Sequence, residues 1–214
     1  GNETEFTVKE GNSLREARCS ICKGSKRSRD LAKVIVRTFL EDDSLPLSEA
    51  LYALRDLSIY ETQSSGPIHD ILCNLPKYMC SEYFDNIPCG VIKDGVRCEN
   101  LENLTFEDNR FDLIITQDVL EHIQNSERAF LEINRILKPG GYHIFTVPIH
   151  EGRPTVKRVR EENGRKIFIL PPVHHSDPLR GDGSLVYTDF GDDIIDYLTS
   201  LKIPTEVAFC ERFY

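Results

Sequence analysis

Acidic and polar side chains follow the predicted strands of this chain at the points where each strand ends. Glu61 and Glu82 end the first two strands, Asn100 follows a third segment, and Asp118 and His122 follow a strongly apolar run. Because parallel strands end at one edge of a sheet, we expect these side chains to line a common ligand site. There a carboxylate can accept hydrogen bonds from vicinal hydroxyls, and a histidine can transfer a proton near neutral pH.

The elements that would position these residues alternate between strand and helix from residue 57 onward. Predicted strands cover 57–61, 78–82, 111–116, 142–147 and 207–209, and predicted helices cover 67–75, 126–137 and about 189–201. This alternation predicts right-handed crossovers and a Rossmann-like, mostly parallel α/β sheet with flanking helices. Two earlier helices, 30–40 and one capped by Ser48, predict an N-terminal helical cap, so we divide the chain at residue 56 into an extension, 1–56, and a main domain, 57–214.

Composition limits the function classes. The 214 residues include 26 Lys and Arg against 35 Asp and Glu, a net charge of −9. An acidic balance argues against non-specific binding of nucleic acid, which needs surplus basic residues. We find neither an apolar run of the roughly 20 residues that span a bilayer nor a secretory signal. The seven cysteines are then expected to be reduced, and the protein is predicted to be cytoplasmic without a membrane partner.

Cys19 and Cys22 have the spacing of half a zinc site. Structural zinc needs four ligands, and the chain has no second pair of this kind. Zinc and free thiols both remain open for this pair, and we predict no metal site.

Two segments carry a family resemblance. Residues 111–122 read FDLIITQDVLEH, and residues 129–142 read AFLEINRILKPGGY. Together they resemble the fourth strand, its loop, the next helix and the fifth strand of class I S-adenosylmethionine-dependent methyltransferases of the type 11 group. The resemblance covers about 55–148 and extends more loosely over 175–201. It implies the class I methyltransferase fold, S-adenosyl-L-methionine as cofactor and a small-molecule methyl acceptor.

The resemblance also implies which residues bind the cofactor. The methionine end would lie against the first loop, where Gly66 alone remains of the glycines that relatives carry. Glu82 would accept the ribose hydroxyls, Asn100 stands where relatives use aspartate for the adenine, and Leu101 would cover the purine. The full predicted set is Glu61, Thr62, Gln63, Ser64, Ser65, Gly66, Glu82, Tyr83, Asn100, Leu101, Gln117, Asp118 and His122.

Candidate catalytic residues are His122, His174 and His175. His122 is either a base or a packing residue, and the adjacent pair is a base, a metal pair or neither. The pair lies in segment 149–188, which is longer than most connections and rich in arginine and lysine. We predict that this segment is a lid that selects the acceptor, which can be anionic, although a solvated basic loop is the alternative.

Two other function classes compete with a methyltransferase. A nicotinamide-dependent oxidoreductase should carry G-x-G-x-x-G after the first strand, and residues 61–66 do not. A non-catalytic module that binds S-adenosylmethionine or docks a partner through a degenerate first loop stays open. The sequence determines neither the acceptor nor the oligomeric state.

Overall fold

The computed structural model describes residues 6–7, 18–20, 24–42, 44–176, 181 and 183–208. The predictions for Cys22 and Phe209 lie outside the described residues. The strands are β1 (Phe6–Thr7), β2 (Arg18–Cys19), β3 (Ile59–Glu61), β4 (Tyr78–Glu82), β5 (Ile92–Lys93), β6 (Val96–Cys98), β7 (Phe111–Gln117), β8 (Leu137–Thr146), β9 (Ile149–His150), β10 (Val156–Lys157), β11 (Val159–Glu162), β12 (Arg165–Phe168), β13 (His174–His175), β14 (Ser184–Leu185) and β15 (Thr188–Gly191). The helices are α1 (Lys26–Leu40), α2 (Leu51–Leu54), α3 (Pro67–Leu72), α4 (Ser126–Ile136) and α5 (Ile194–Ser200), with a 3-10 turn at Leu120–His122.

A six-stranded sheet in the order β5-β6-β4-β3-β7-β8 forms the centre of the fold. Its strands are parallel except β5, which pairs antiparallel with β6. This confirms the predicted Rossmann-like, mostly parallel sheet. The carboxyl ends of β3, β4, β6 and β7 therefore meet at one edge, with β4 and β3 as the two central strands.

Each face of the sheet packs against its own group of helices, because successive strand residues point to opposite faces. On one side Ile59, Leu113 and Ile115 pack with residues of α1, α2 and α3. On the other side Tyr60 and Ile114 pack with residues of α4 and α5. The helix α1 of the N-terminal extension is thus part of a core layer of the sheet.

The N-terminal helices differ in their starts from the prediction. Ser25 caps α1 by accepting a hydrogen bond from the Ser28 backbone N–H at 3.1 Å, so this helix begins four residues before Asp30. The second helix begins at Leu51 after Ala50, and Ser48 does not cap it. Residues 47–49 form a turn in which Glu49 and Ala50 donate to the Pro46 carbonyl, and this turn replaces the predicted cap.

The Lys-Pro-Gly-Gly segment does more than stop α4. The helix ends at Ile136, and β8 begins at once with Leu137 opposite Phe111. A register shift then accommodates residues 138–141 before the ladder resumes at Tyr142. Gly141 lies so close to strand β7 that a Cβ there would be 3.0 Å from the Phe111 carbonyl oxygen. The segment is therefore an irregular strand start and not a loop.

The C-terminal elements also differ from the prediction. The helix expected from Asp189 begins only at Ile194, because Thr188–Gly191 is a strand paired with β9 and β10. Val207 and Ala208 are not in a strand. The sequence pattern favoured a helix here because the pairing partners of this strand lie some 30–40 residues away in sequence. Within the described part of the chain, no helix combines the length and apolar character needed to cross a membrane.

Candidate active site

A cleft of about 1170 Å³ opens at the edge of the sheet where the parallel strands end. It is walled by the loops after β3, β4, β6 and β7, by the start of α1 and by segment 149–188. Most of the predicted site residues line it: Thr62, Gln63, Ser65, Gly66, Glu82, Tyr83, Asn100, Leu101, Gln117, Asp118, His122 and His175. Three predicted residues do not line the cleft: Glu61, Ser64 and His174.

The first loop is held in place by Glu82. One carboxylate oxygen of Glu82, Oε1, accepts hydrogen bonds from the backbone N–H of Ser64 at 2.8 Å and from its hydroxyl at 2.9 Å. Gly66 closes the loop with φ 108° and ψ 171° and caps α3. Gln63 folds over the loop by donating from Nε2 to the Ser65 carbonyl at 3.1 Å. Glu82, at the end of β4, therefore holds the loop that follows β3.

Glu61 lies beneath the cleft in a buried network. Its side chain accepts hydrogen bonds from the Tyr78 hydroxyl at 2.7 Å and from Gln117 Nε2 at 3.1 Å. Burial, outweighing both hydrogen bonds, raises the pKa of the Glu61 carboxyl to about 8. Glu61 is therefore protonated at neutral pH and serves as a neutral support for Gln117, which lines the cleft.

Replacing Glu61 with glutamine is expected to remove a pH dependence of stability. Folding raises the pKa of the Glu61 carboxyl from 4.5 to about 8. The protonated carboxyl therefore contributes its full stabilisation of the folded state below about pH 4.5, and this contribution is lost as pH rises through about 8. Between pH 6 and pH 8 the wild type should lose about 2 kcal/mol of unfolding free energy through this group, and Glu61→Gln should not. Urea unfolding of both proteins at the two pH values measures the difference. Equal pH dependence would contradict a protonated Glu61.

The loop after β6 is organised by a residue that sequence reasoning missed. Glu99 is 2% exposed and accepts hydrogen bonds from Arg97 Nε at 2.6 Å and from the Thr105 backbone at 3.0 Å. Asn100 uses its side-chain oxygen to accept from the Glu102 N–H at 2.9 Å, and Leu101 is buried against the sheet. This loop is thus preformed, with Asn100 acting as a turn former as well as a cleft residue.

Asp118 connects the cleft to the N-terminal helix. It has φ 48°, and its carboxylate accepts from the Thr146 hydroxyl at 3.0 Å. The same carboxylate forms an ion pair with Arg27 from the first turn of α1. Arg27 was missed because nothing local in the sequence marks the start of α1 as a wall of this cleft.

The three candidate catalytic histidines have different surroundings. His122 donates from Nδ1 to the Leu185 carbonyl at 2.9 Å, which fixes its ring. The His175 ring lies edge-on to it, with centroids 5.0 Å apart. His174 is exposed and does not line the cleft, whereas His175, the next residue, does. Of the three candidates, only His122 and His175 therefore lie in the cleft.

The described residues of segment 149–188, namely 149–176, 181 and 183–188, form short strand pairs at the mouth of the cleft. Arg158 anchors it through a 2.5 Å contact with Asp189 and a 2.6 Å hydrogen bond to the Pro171 carbonyl. The hairpin of β11 and β12 extends from this anchor, and its Lys166 lines the cleft with Nζ 5.4 Å from the Tyr187 ring centroid.

The sequence is similar to known proteins over this region. Residues 79–145 match the family model of a methyltransferase domain, which confirms the resemblance drawn from segments 111–122 and 129–142. YafE of Escherichia coli, an uncharacterized protein, is 31% identical over 107 residues, which are 50% of this chain and 50% of YafE. The uncharacterized methyltransferase C1B3.06c of Schizosaccharomyces pombe is 44% identical over 46 residues, 22% of this chain and 16% of the relative.

Solved structures are similar at lower identity. A putative sarcosine dimethylglycine methyltransferase from Galdieria sulphuraria has a TM-score of 0.44 and 19% identity, covering 69% of this chain and 53% of that chain. This chain spans half or less of the length of the curated relatives named above.

Proposed function

We propose that this chain, which carries a class I methyltransferase domain, transfers a methyl group from S-adenosyl-L-methionine to a small molecule. The observation that carries the proposal is a cleft lined by described residues of four strand-end loops and of the 149–188 segment. Its volume exceeds the roughly 300–1,000 Å³ of a pocket for one small ligand, which suits a cofactor together with an acceptor.

The residues present fit the cofactor. Bound S-adenosylmethionine supplies an electrophilic methyl group on a sulfonium. Glu82 would accept hydrogen bonds from the ribose while it holds Ser64, and Leu101 and Asn100 would contact the adenine. Gly66 leaves the loop backbone open to the methionine end because it lacks a side chain. Gln117, oriented by Glu61, would complete that end of the site.

The acceptor would bind on the side of the cleft formed by segment 149–188. His122, His175 and Lys166 lie there, and Lys166 suits an anionic acceptor group. The chain's contribution would be to hold the acceptor atom about 3 Å from the methyl carbon, in line with the leaving sulfur.

We further propose 1–56 as an N-terminal extension that completes the cofactor side, since Arg27 reaches Asp118.

One observation favours a non-catalytic binding module as a second candidate. Gln63 folds its side chain back onto the first loop, where a glycine in relatives would leave space. A Cβ at Gly66 would lie 3.3 Å from Gln63 Nε2, so this side chain stands against the open face of the loop. A partner-docking module of this kind would bind S-adenosylhomocysteine weakly or not at all.

Calorimetric titration with S-adenosylhomocysteine, with NAD in parallel, separates these functions. The wild type should bind S-adenosylhomocysteine and not NAD. Glu82→Ala should weaken binding by about 1.5–3 kcal/mol, roughly 10- to 150-fold, because charge-assisted hydrogen bonds and the order of the first loop are both lost.

Glu107→Ala serves as the matched control, since Glu107 is exposed and does not line the cleft. It should bind like the wild type. No binding of S-adenosylhomocysteine by the wild type would contradict the proposed activity. Normal affinity in Glu82→Ala would mean that Glu82 contacts only Ser64.

We also propose a cytoplasmic location. Five cysteines of the described residues are free thiols, Cys19, Cys73, Cys80, Cys89 and Cys98. Free thiols suit a reducing compartment.

A further inference from the structure

Three side chains with metal-binding atoms converge at the acceptor side of the cleft. Glu121, His122 and His175 each offer one ligand atom, and these atoms lie within 4.8 Å of one another. Glu121 Oε1 is 3.7 Å from His122 Nε2 and 3.8 Å from His175 Nδ1. All three residues line the cleft.

These distances suit a shared ion better than direct contact. A hydrogen bond between nitrogen and oxygen measures roughly 2.7–3.2 Å, so both spacings are longer. Metal–ligand bonds of about 2.0–2.1 Å in a tetrahedral site separate neighbouring ligand atoms by about 3.4 Å, so small side-chain movements would complete the geometry. Two imidazoles and a carboxylate are also a donor set that binds zinc and other first-row divalent metals.

The ring of His122 is already oriented for this role. Its Nδ1 faces the Leu185 carbonyl at 2.9 Å, and a carbonyl can only accept, so Nδ1 carries the proton. In the neutral ring Nε2 then has the lone pair, and Nε2 is the atom that faces Glu121. A backbone carbonyl behind the non-ligating nitrogen is the usual support of a metal-binding histidine.

The other two ligands are held by backbone contacts. Glu121 is 1% exposed, and its carbonyl accepts from the Tyr187 N–H at 2.8 Å. His175 pairs with Ser184 across β13 and β14. Next to this pair, a Cβ at Gly183 would be only 2.3 Å from the His175 carbonyl oxygen, so the close approach of the two strands requires glycine there.

We propose that Glu121, His122 and His175 bind a divalent first-row transition-metal ion at the wall of the cleft. This proposal departs from the sequence-based expectation of no metal site. His175 is separated from His122 by more than 50 residues, so no local spacing motif marks the site.

The chemical consequence rests on the proposed function. An acceptor hydroxyl on the ion would have a lowered pKa and release its proton to solvent. Its oxygen would then form the new bond to the methyl carbon, and the carbon–sulfur bond would break with its electron pair staying on sulfur. The site therefore predicts an oxygen acceptor.

Binding of a metal ion in the absence of cofactor and acceptor tests the site. The full chain, freed of metal with EDTA, is titrated with Co²⁺ by visible absorption and with Zn²⁺ by calorimetry. We expect one ion per chain, and His175→Ala should weaken binding at least about 100-fold because one of three protein ligands is lost. His175 is half-exposed, so this variant should fold, and circular dichroism checks that it does.

His150→Ala is the matched control. His150 lies in the same segment with its Nε2 3.6 Å from a carboxylate oxygen of Asp189, a similar pair without a third ligand in the described cluster. It should bind Co²⁺ like the wild type. Absence of stoichiometric Co²⁺ binding, or equal loss in His150→Ala and His175→Ala, would overturn the proposal. Because S-adenosylhomocysteine binding is measured separately without metal, failure here is distinguishable from failure of the proposed function.

Discussion

Replacing Gly66 with valine is expected to abolish the binding of S-adenosylhomocysteine while the protein stays folded. The backbone at Gly66 has φ 108°, which β-branched residues resist strongly. Such strain costs about 1–3 kcal/mol, less than the roughly 5–15 kcal/mol that stabilises a typical domain. The loop would relieve the strain by moving, and Ser64 would leave Glu82.

Gly95→Val gives the matched control. Gly95 also has a positive φ, 84°, but it lies in the turn between β5 and β6 and does not line the cleft. Both variants should lose stability in thermal unfolding, and only Gly66→Val should lose binding in calorimetry. Normal affinity in Gly66→Val would show that the methionine end is held elsewhere.

Shortening the β11–β12 hairpin is expected to stop turnover and preserve the binding of S-adenosylhomocysteine. Arg160 and Ile167 are directly opposed, two positions from the native turn pair Glu162 and Arg165, so Asn-Gly can replace residues 161–166 as a two-residue turn. The change removes Lys166 from the cleft but leaves the Arg158 anchor to Asp189. Misplacement of an acceptor costs about 10²-fold in rate, and complete loss of its contacts should cost at least as much.

Methyl transfer from labelled S-adenosylmethionine, with an acceptor found by screening candidate compounds, measures this effect. Lys166→Met, which keeps the hairpin, should raise KM for an anionic acceptor with a smaller change in kcat. If the shortened chain lost S-adenosylhomocysteine binding and stayed folded, the hairpin would belong to the cofactor site. Normal turnover would mean that the hairpin is a solvated surface loop.

The sequence predicted the sheet and much of the cleft because both depend on local patterns. Strand ends are visible where apolar runs stop, and parallel pairing brings such ends to one edge whatever the loops between them. Glu82 and Asp118 were therefore recognisable as neighbours from the sequence. Their hydrogen-bond partners were not, since Ser64 is 18 residues from Glu82 and Thr146 is 28 residues from Asp118.

The remaining errors have the same physical origin. Asp189 satisfies a helical pattern, yet the backbone there pairs with strands formed some 30–40 residues earlier. Arg27 reaches Asp118 only because α1 packs on the sheet through the face that also carries Leu31 and Val34, one and two turns after Arg27. Contacts of this range depend on how elements pack, which a residue pattern within one element does not encode.

The anchoring of segment 149–188 limits how the cleft can exchange its contents. Thr155 bonds to Asp193 through both its backbone N–H and its hydroxyl, each at 2.7 Å. A Cβ at Gly191 would overlap the Arg153 carbonyl oxygen, so the base of the segment is packed backbone against backbone. The hairpin of β11 and β12 extends past Arg158, beyond this anchored base. Excursions of so short a segment take nanoseconds to microseconds, whereas domain hinges take microseconds to milliseconds. For the proposed methyl transfer, hairpin motion on this timescale would be faster than a typical turnover of roughly 1–10³ s⁻¹ and would not limit the release of product.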